Sequence, residues 1–337
     1  MRLVTFQGAD GQHRAGALFN QDEAVLDLRI ASQLVRGGDG AALTSVQALI
    51  EGGEAALAEA QSLLARTPSD AVVARSAVKL LAPVQPPTQM RDCSCFELHL
   101  RQCFAAARRA RALQTPDPEA TLKAMNTRAD DRVIDAFNRQ PIYYKCNRFA
   151  VIGPDDDVVW PDYSEQLDFE LEFGCYIAGR AKNVPRDRAR QYIFGYTIFN
   201  DVSARDAQAK EMSGMLGPAK GKDFDTANVM GPCLVTADEL GDPYDLTMIA
   251  RVNGEEWGRG NTRDMRWRFE DVIAHISRSE TLYPGEFLGS GTVGNGCGLE
   301  HLRFLKPGDV VELEVEGLGI LRNRVVLPSA VADLAAQ

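Results

Sequence analysis

The sequence is most restrictive in what it lacks. Its seven cysteines, at positions 93, 95, 103, 146, 175, 233 and 297, are an odd number and form no CxxC spacing, so neither a disulfide framework nor a zinc ribbon is written into it. They read as reduced thiols. Cys93 and Cys95 are close enough in sequence to share a soft metal, but no second Cys/His pair with zinc spacing accompanies them, which favours ordinary packing. Long apolar runs are missing too. The opening Met1-Arg2-Leu3-Val4-Thr5-Phe6 turns polar at Gln7, giving neither a signal-peptide core nor a membrane span, and a cytoplasmic location is the expectation. Positive charge is in deficit: 37 Lys and Arg stand against 47 Asp and Glu, a net charge of -10 that repels nucleic acid and anionic membrane. Heptads, repeats and low-complexity tracts are absent.

What is present is a globular composition, 45% hydrophobic and 25% charged, in a 337-residue chain long enough for one large or two unequal domains. Apolar runs at 3–6, 15–19 and 24–28, separated by Gly and Asp, suggest a small antiparallel sheet, and 41–65 reads as helix. Leu81-Ala82-Pro83-Val84-Gln85-Pro86-Pro87 continues neither element, because proline removes donors and fixes φ. The expected division is therefore a small N-terminal α+β domain at 1–80, a linker at 81–87 and a larger domain at 88–330. Within the latter, 98–113 and 118–137 are rich in Ala, Arg and Leu and predict helices. Arg101, Arg108, Arg109 and Arg111 form either a phosphate patch or, more simply, a solvated helix face. After residue 140 the texture becomes strand-rich, with segments at 141–144, 167–177, 192–199, 228–235, 245–252 and 310–315. The whole is expected to be mixed α/β and β-rich.

The segment Leu167 to Ile177 alternates strictly, with Asp168, Glu170 and Glu172 on the even positions. That is the period of a strand, and acids two residues apart on one face, roughly 7 Å, repel by about 2 kcal/mol at an effective dielectric near 20. A solvated sheet face tolerates this repulsion. An enclosed face needs compensation, which a hard divalent cation provides. A second apolar strand, Phe194 to Phe199, runs into Asn200-Asp201-Val202-Ser203-Ala204-Arg205-Asp206.

Taken in order, these residues resemble the fumarylacetoacetate hydrolase superfamily. Glu170-Leu171-Glu172 resembles its ExE signature and Asn200 to Asp206 its NDxSARD signature; Asp92 and His99 fit its upstream acid and histidine. Gly221-Lys222-Asp223-Phe224-Asp225-Thr226 is similar to its lysine loop and Gly289-Ser290-Gly291-Thr292 to its substrate turn. The resemblance covers about 88–326 and implies a C-terminal β-sandwich and roll, in a homodimer. It implies one divalent cation per subunit, Mg²⁺ first with Mn²⁺ or Ca²⁺ also fitting, held by Glu170, Glu172 and Asp201 with Asp92 as a fourth ligand. It also implies a small 2-oxo or β-dicarbonyl acid as substrate. His99 is the implied base, Glu300 or the nearer Glu97 its partner, and Lys222 stabilises an oxyanion. Arg205, Gln208, Tyr144, Thr226 and Thr292 are the implied substrate contacts. Ser94 and Cys95 depart from the family pattern, as does a helical insertion at about 100–139, and both bear on substrate choice.

The reaction implied first is hydrolysis of a carbon–carbon bond in an acylpyruvate-like acid through an enolate that the metal stabilises. A lyase on the same scaffold is the alternative, as decarboxylase, hydratase or dehydratase of 2-oxo-3-deoxy sugar acids; a non-catalytic metal or ligand binder is a third. Two other motifs lead nowhere. Gly289 to Gly294 satisfies GxGxxG, but Asn295-Gly296 follows where a helix should start. Gly221-Lys222-Asp223 lacks the Ser or Thr that a phosphate-binding loop needs after its lysine.

Overall fold

The computed structural model describes residues 1–328; positions 329 and 330, the end of the expected second domain, lie outside the described residues. The first strands are β1 (Arg2–Gln7), β2 (His13–Phe19) and β3 (Ala24–Asp27), then helices α1 (Leu28–Arg36) and α2 (Val46–Arg66), then β4 (Val72–Ala74) and β5 (Lys79–Leu81). Asp27 caps α1 by accepting the Ile30 N–H, and Ser45 caps α2 by accepting that of Ala48. After 81–87 come β6 (Met90–Ser94), α3 (Glu97–Ala112), α4 (Pro118–Ala124), α5 (Arg128–Arg139) and β7 (Ile142–Lys145). The helix expected over 118–137 is thus two. Asn126 Oδ1 accepts the Arg128 N–H at 2.8 Å, a local bond that competes with helical continuation and starts α5. Of the four arginines, Arg101 pairs with Glu97 and Arg108 with Asp130 across α3 and α5, while Arg109 and Arg111 are exposed, as a solvated helix face requires.

The strand-rich part holds β8 (Val151–Ile152), β9 (Asp157–Val159), β10 (Leu167–Asp168), β11 (Leu171–Ile177), β12 (Ile193–Asp201) and β13 (Ser203–Ala204). Helices α6 (Arg205–Met212) and α7 (Ala219–Lys222) precede β14 (Asn228–Thr236), and α8 (Ala237–Leu240) follows it. Last come β15 (Thr247–Val252), β16 (Glu255–Asn261), α9 (Phe269–Ile276), β17 (Phe287–Gly289), β18 (Val310–Val315) and β19 (Gly319–Val326). One large sheet runs in the order β4-β3-β2-β1-β14-β12-β11-β17-β6-β7, and a second in the order β16-β15-β18-β19-β9. Because β1 pairs with β14, hydrogen bonding runs unbroken across the boundary expected at 81–87. The fold is mixed α/β and sheet-rich. Among the described residues no helix is long and apolar enough to cross a membrane.

The alternating segment 167–177 breaks in the middle. Leu167 and Asp168 pair with Ala204 and Ser203, whereas Leu171 onward pairs with β12. Glu170 lies between, bridging to Cys297 and giving its N–H to Asn200 Oδ1 at 3.0 Å. The odd positions Phe173 and Cys175 enter a core shared with the second sheet, where the Phe173 and Phe269 rings meet edge to face at 5.1 Å. The opposite face of the large sheet carries Tyr176, Phe199, Met230 and Phe287. The sheet is therefore apolar on both faces, and no solvated face exists for the even-numbered acids.

Candidate active site

Strand alternation places Glu172 on the face of Tyr176, Asp201 on that of Phe199 and Asp92 on that of Met90, so three strands send an acid to the same side. Between β11 and β6 lies β17, whose Gly289 pairs with both Gly174 and Asp92. A Cβ at Gly289 would stand 2.5 Å from Asp92 Oδ1, so only glycine lets that carboxylate cross toward Glu172. The following turn holds the acids: Gly291 N–H donates to Asp92 Oδ1 at 3.0 Å and Thr292 Oγ1 to Glu172 Oε1 at 3.2 Å. Oxygens of Asp92, Glu172 and Asp201 lie within 4.8 Å of one another, and all three residues are buried.

Lys222 completes the cluster, its ammonium donating to Glu170 Oε2 at 2.6 Å and Asp201 Oδ2 at 2.5 Å. Arg205 reaches Glu170 Oε1 at 2.7 Å and Asp168 Oδ2 at 2.8 Å. Both oxygens of Glu170 are thereby occupied, and Glu170 stands beside the trio rather than in it. Tyr144 donates its hydroxyl to Asp201 Oδ2. Five buried carboxylates, Asp92, Asp168, Glu170, Glu172 and Asp201, face two buried cations.

The imbalance shows in the acidities. Burial lifts the Asp92 carboxyl to about 7, the charge of Asp201 adding to the rise. Burial likewise takes Asp201 to about 6 against the pull of Lys222, and lifts Glu172 well above the carboxylate range with Asp92 and Asp201 assisting. Burial opposes the charge of Glu170 as well, but Lys222 and then Arg205 outweigh it and hold that carboxyl below its ordinary value. Among the described residues, the buried Glu172 Oε2 and Asp201 Oδ1 have no hydrogen-bond partner. Unpartnered carboxylate oxygens in a buried, net-negative cluster are the donor set that a hard divalent cation takes, so the residues fit such an ion.

Beside the trio stands a second pair. His99 projects from the first turn of α3, and its Nδ1 lies 2.9 Å from Glu300 Oε1. Burial works against a charged imidazole here, but the contacts with Cys297 and Glu300 outweigh it and raise His99 to about 10. Glu300, not Glu97, is the partner; Glu97 faces Arg101 at 2.7 Å. A cavity of about 310 Å³ is lined by Asp92, His99, Tyr144, Glu170, Lys222 and Thr292 among others, joining both groups. Gln208 also lines it, its Oε1 accepting from Arg205 Nη1 at 3.0 Å.

Two expected substrate contacts are placed elsewhere. Arg205 is consumed by Asp168 and Glu170 beneath the cavity wall. Thr226, with φ of 70°, accepts the Val159 N–H at 2.9 Å and holds a turn outside the cavity. Sequence reasoning missed Tyr143, Met212 and Pro218 as lining residues. It also missed Asp168, which accepts the N–H groups of Gly298 and Leu299 at 2.8 and 2.9 Å and so fixes the turn bearing Glu300. Its even-numbered register with Glu170 and Glu172 was the available signal.

A buried acid trio that reaches, through Asp92, a cavity also lined by an ion-paired histidine defines an enzyme site. The family model for the C-terminal domain of fumarylacetoacetate (FAA) hydrolase matches residues 117–326, and the chain belongs to that family of enzymes. The human protein oxaloacetate tautomerase FAHD2A, mitochondrial, is 37% identical over 257 residues, 71% of this chain and 81% of its own. Oxaloacetate tautomerase fahd2, mitochondrial, of Xenopus laevis is 32% identical over 329 residues, 97% of this chain and 90% of its own. Among solved structures, maleylpyruvate hydrolase from Sphingobium sp. SYK-6 in complex with manganese (II) ion and pyruvate has the same fold, with a TM-score of 0.69 and 22% identity over 97% of this chain and 99% of that one.

Proposed function

We propose that this protein interconverts the enol and keto forms of a small 2-oxo dicarboxylic acid of the oxaloacetate type, with a divalent cation held by Asp92, Glu172 and Asp201. The observation that carries the reading is that His99, paired with Glu300, lines the same cavity as Asp92 of the acid trio. When bound, the cation supplies Lewis acidity that draws electrons from the 2-oxo carboxylate. The chain itself handles the proton. Enol and keto forms are isomers: the enol O–H loses its proton to solvent, the neighbouring carbon gains one from the imidazolium, and solvent then reprotonates the imidazole. His99, held protonated by its contacts with Cys297 and Glu300, is poised to give the carbon its proton from Nε2, while Glu300 fixes the ring through Nδ1. Lys222 places a positive charge on the cavity wall beside the oxygen that becomes a carbonyl, and Gln208, Tyr144 and Thr292 position the acid. The names of the two tautomerase relatives support this substrate class.

The hydrolysis of an acylpyruvate-like acid, expected from the sequence, is the second reading. The Nδ1 contact with Glu300 favours it, because a histidine oriented in that way also activates water once neutral. One experiment separates the two. Mg²⁺- or Mn²⁺-loaded protein is given enol-oxaloacetate and, separately, acylpyruvates, following enol absorbance and pyruvate release. Faster decay of the enol band without new products supports the tautomerase; release of pyruvate with a second acid supports the hydrolase; neither signal overturns both. The homodimer and the cytoplasmic location belong to the same proposal, to be checked by sedimentation and by cell fractionation; both tautomerase relatives are named as mitochondrial.

A further inference from the structure

We infer that His99, Cys103, Cys297 and Glu300 form a second metal site, selective for Zn²⁺ or a similarly thiophilic ion, distinct in chemistry from the carboxylate trio. The i, i+4 spacing on α3 stacks His99 and Cys103 on one face, with Cys103 Sγ 3.6 Å from Nε2 and 3.7 Å from Nδ1. Cys297 and Glu300 come from the turn opposite, where the Cys297 N–H donates to Glu300 Oε2 at 3.1 Å. One donor atom from each of the four side chains lies within 4.8 Å of the other three. Tetrahedral Zn²⁺, with bonds of about 2.3 Å to sulfur and about 2.0 Å to nitrogen, needs donors roughly 3.3 to 3.8 Å apart, so rotamer adjustments of ångström size close the site.

Ligand type decides which ion goes where. Two thiols, an imidazole and one carboxylate suit Zn²⁺, whereas three carboxylates suit Mg²⁺ or Mn²⁺. The cysteines also lie where sequence spacing could not reveal them: 103 and 297 are far apart in the chain and show no zinc motif. The consequence rests on the proposed function. An ion on His99 and Glu300 removes the proton carrier from the cavity, so Zn²⁺ inhibits without displacing the activating cation.

The test uses the full chain under a thiol-free reductant, saturated with Mg²⁺ and titrated with Co²⁺ and then Zn²⁺. The expected result is one equivalent of Co²⁺ with a thiolate charge-transfer band and the strong visible bands of a tetrahedral site, displaced by Zn²⁺ and not by Mg²⁺. Cys103→Ser, at a half-buried helical position, should lower Zn²⁺ affinity by at least about tenfold, one of four ligands being lost. Glu172→Gln should leave Zn²⁺ affinity unchanged. A Co²⁺ spectrum without the sulfur band, unchanged Zn²⁺ affinity in Cys103→Ser, or Zn²⁺ binding lost in Glu172→Gln overturns the inference. Zn²⁺ binding with the sulfur signature but full turnover upholds the site and sinks the role given to His99.

Discussion

Thr292 Oγ1 donates to Glu172 Oε1 at 3.2 Å, while Glu172 Oε2, equally buried, has no partner among the described residues. One oxygen of the carboxylate is held in place by the turn after β17, and the group lies within 4.8 Å of oxygens of Asp92 and Asp201. A buried, unpartnered carboxylate oxygen costs about 1 to 3 kcal/mol, and the arrangement is sustained when something cationic fills the gap.

Glu172→Gln therefore separates cation binding from folding. Calorimetry should show Mn²⁺ affinity reduced at least about tenfold, since one of three oxygen ligands loses its charge. The metal-free variant should unfold no earlier than the parent on heating, because burial beside Asp92 and Asp201 already favours the neutral form of Glu172, which the amide resembles in shape and charge. In the parent, saturating Mn²⁺ should raise the unfolding temperature by mass action, and that rise should shrink in the variant.

The acid trio also fixes a pH dependence. Asp92 and Asp201 titrate at about 7 and about 6 in the folded chain, above the ordinary value near 3.9 of the unfolded one. Between those values the folded state binds more protons, so the trio's contribution to stability is fullest below about pH 4 and is lost as pH rises toward 7. Divalent cation compensates on the alkaline side. Urea unfolding of metal-free protein between pH 5 and pH 8 should show this contribution declining, and Mg²⁺ should restore stability more at pH 8 than at pH 5; an equal Mg²⁺ effect at both would refute the assignment.

Much of this site was legible in the chain because strand periodicity and motif order survive in sequence. Glu172, Asp201, Asp92, His99, Glu300 and Lys222 all reach one locality. What was not legible depends on contacts between distant segments. Whether Arg205 meets substrate or Asp168 is decided by the break at Phe169-Glu170, which turns β10 toward β13. Periodicity does not register that break, because both halves keep the same alternation. Thr226 looked like part of the lysine loop, yet its left-handed backbone turns it toward Val159. The continuity of β1 with β14 was hidden for the same reason: a proline-rich stretch marks where local structure stops, not where a sheet does.

Arg205 is a structural keystone on this account. Replacing it by Met leaves Asp168 without its guanidinium and deprives Glu170 of one of its two cations, in a place where neither can be hydrated. Breaking a buried pair from one side typically costs about 3 to 5 kcal/mol, and Arg205→Met should lose stability of that order in denaturant titration. Gln208→Ala, which removes a cavity-lining side chain, should instead raise KM with little change in unfolding.

The proton carrier gives the sharpest kinetic test. His99→Asn keeps a polar side chain of similar size beside Glu300 but cannot carry a proton, so turnover should fall by about 10² to 10⁴ while Mn²⁺ affinity holds. Glu300→Gln tests the cause of the histidine's raised pKa. With the carboxylate gone, one of the two contacts that favour imidazolium is removed, the other being with Cys297, and His99 should move from about 10 toward its ordinary range. A reaction that needs protonated His99 loses rate as pH rises through that pKa. The alkaline limb of the kcat/KM profile should therefore shift to lower pH in Glu300→Gln, with activity partly retained at low pH. A limb that stays in place while the whole profile drops would show that Glu300 only positions the ring, and that the charge on His99 is not what the reaction uses.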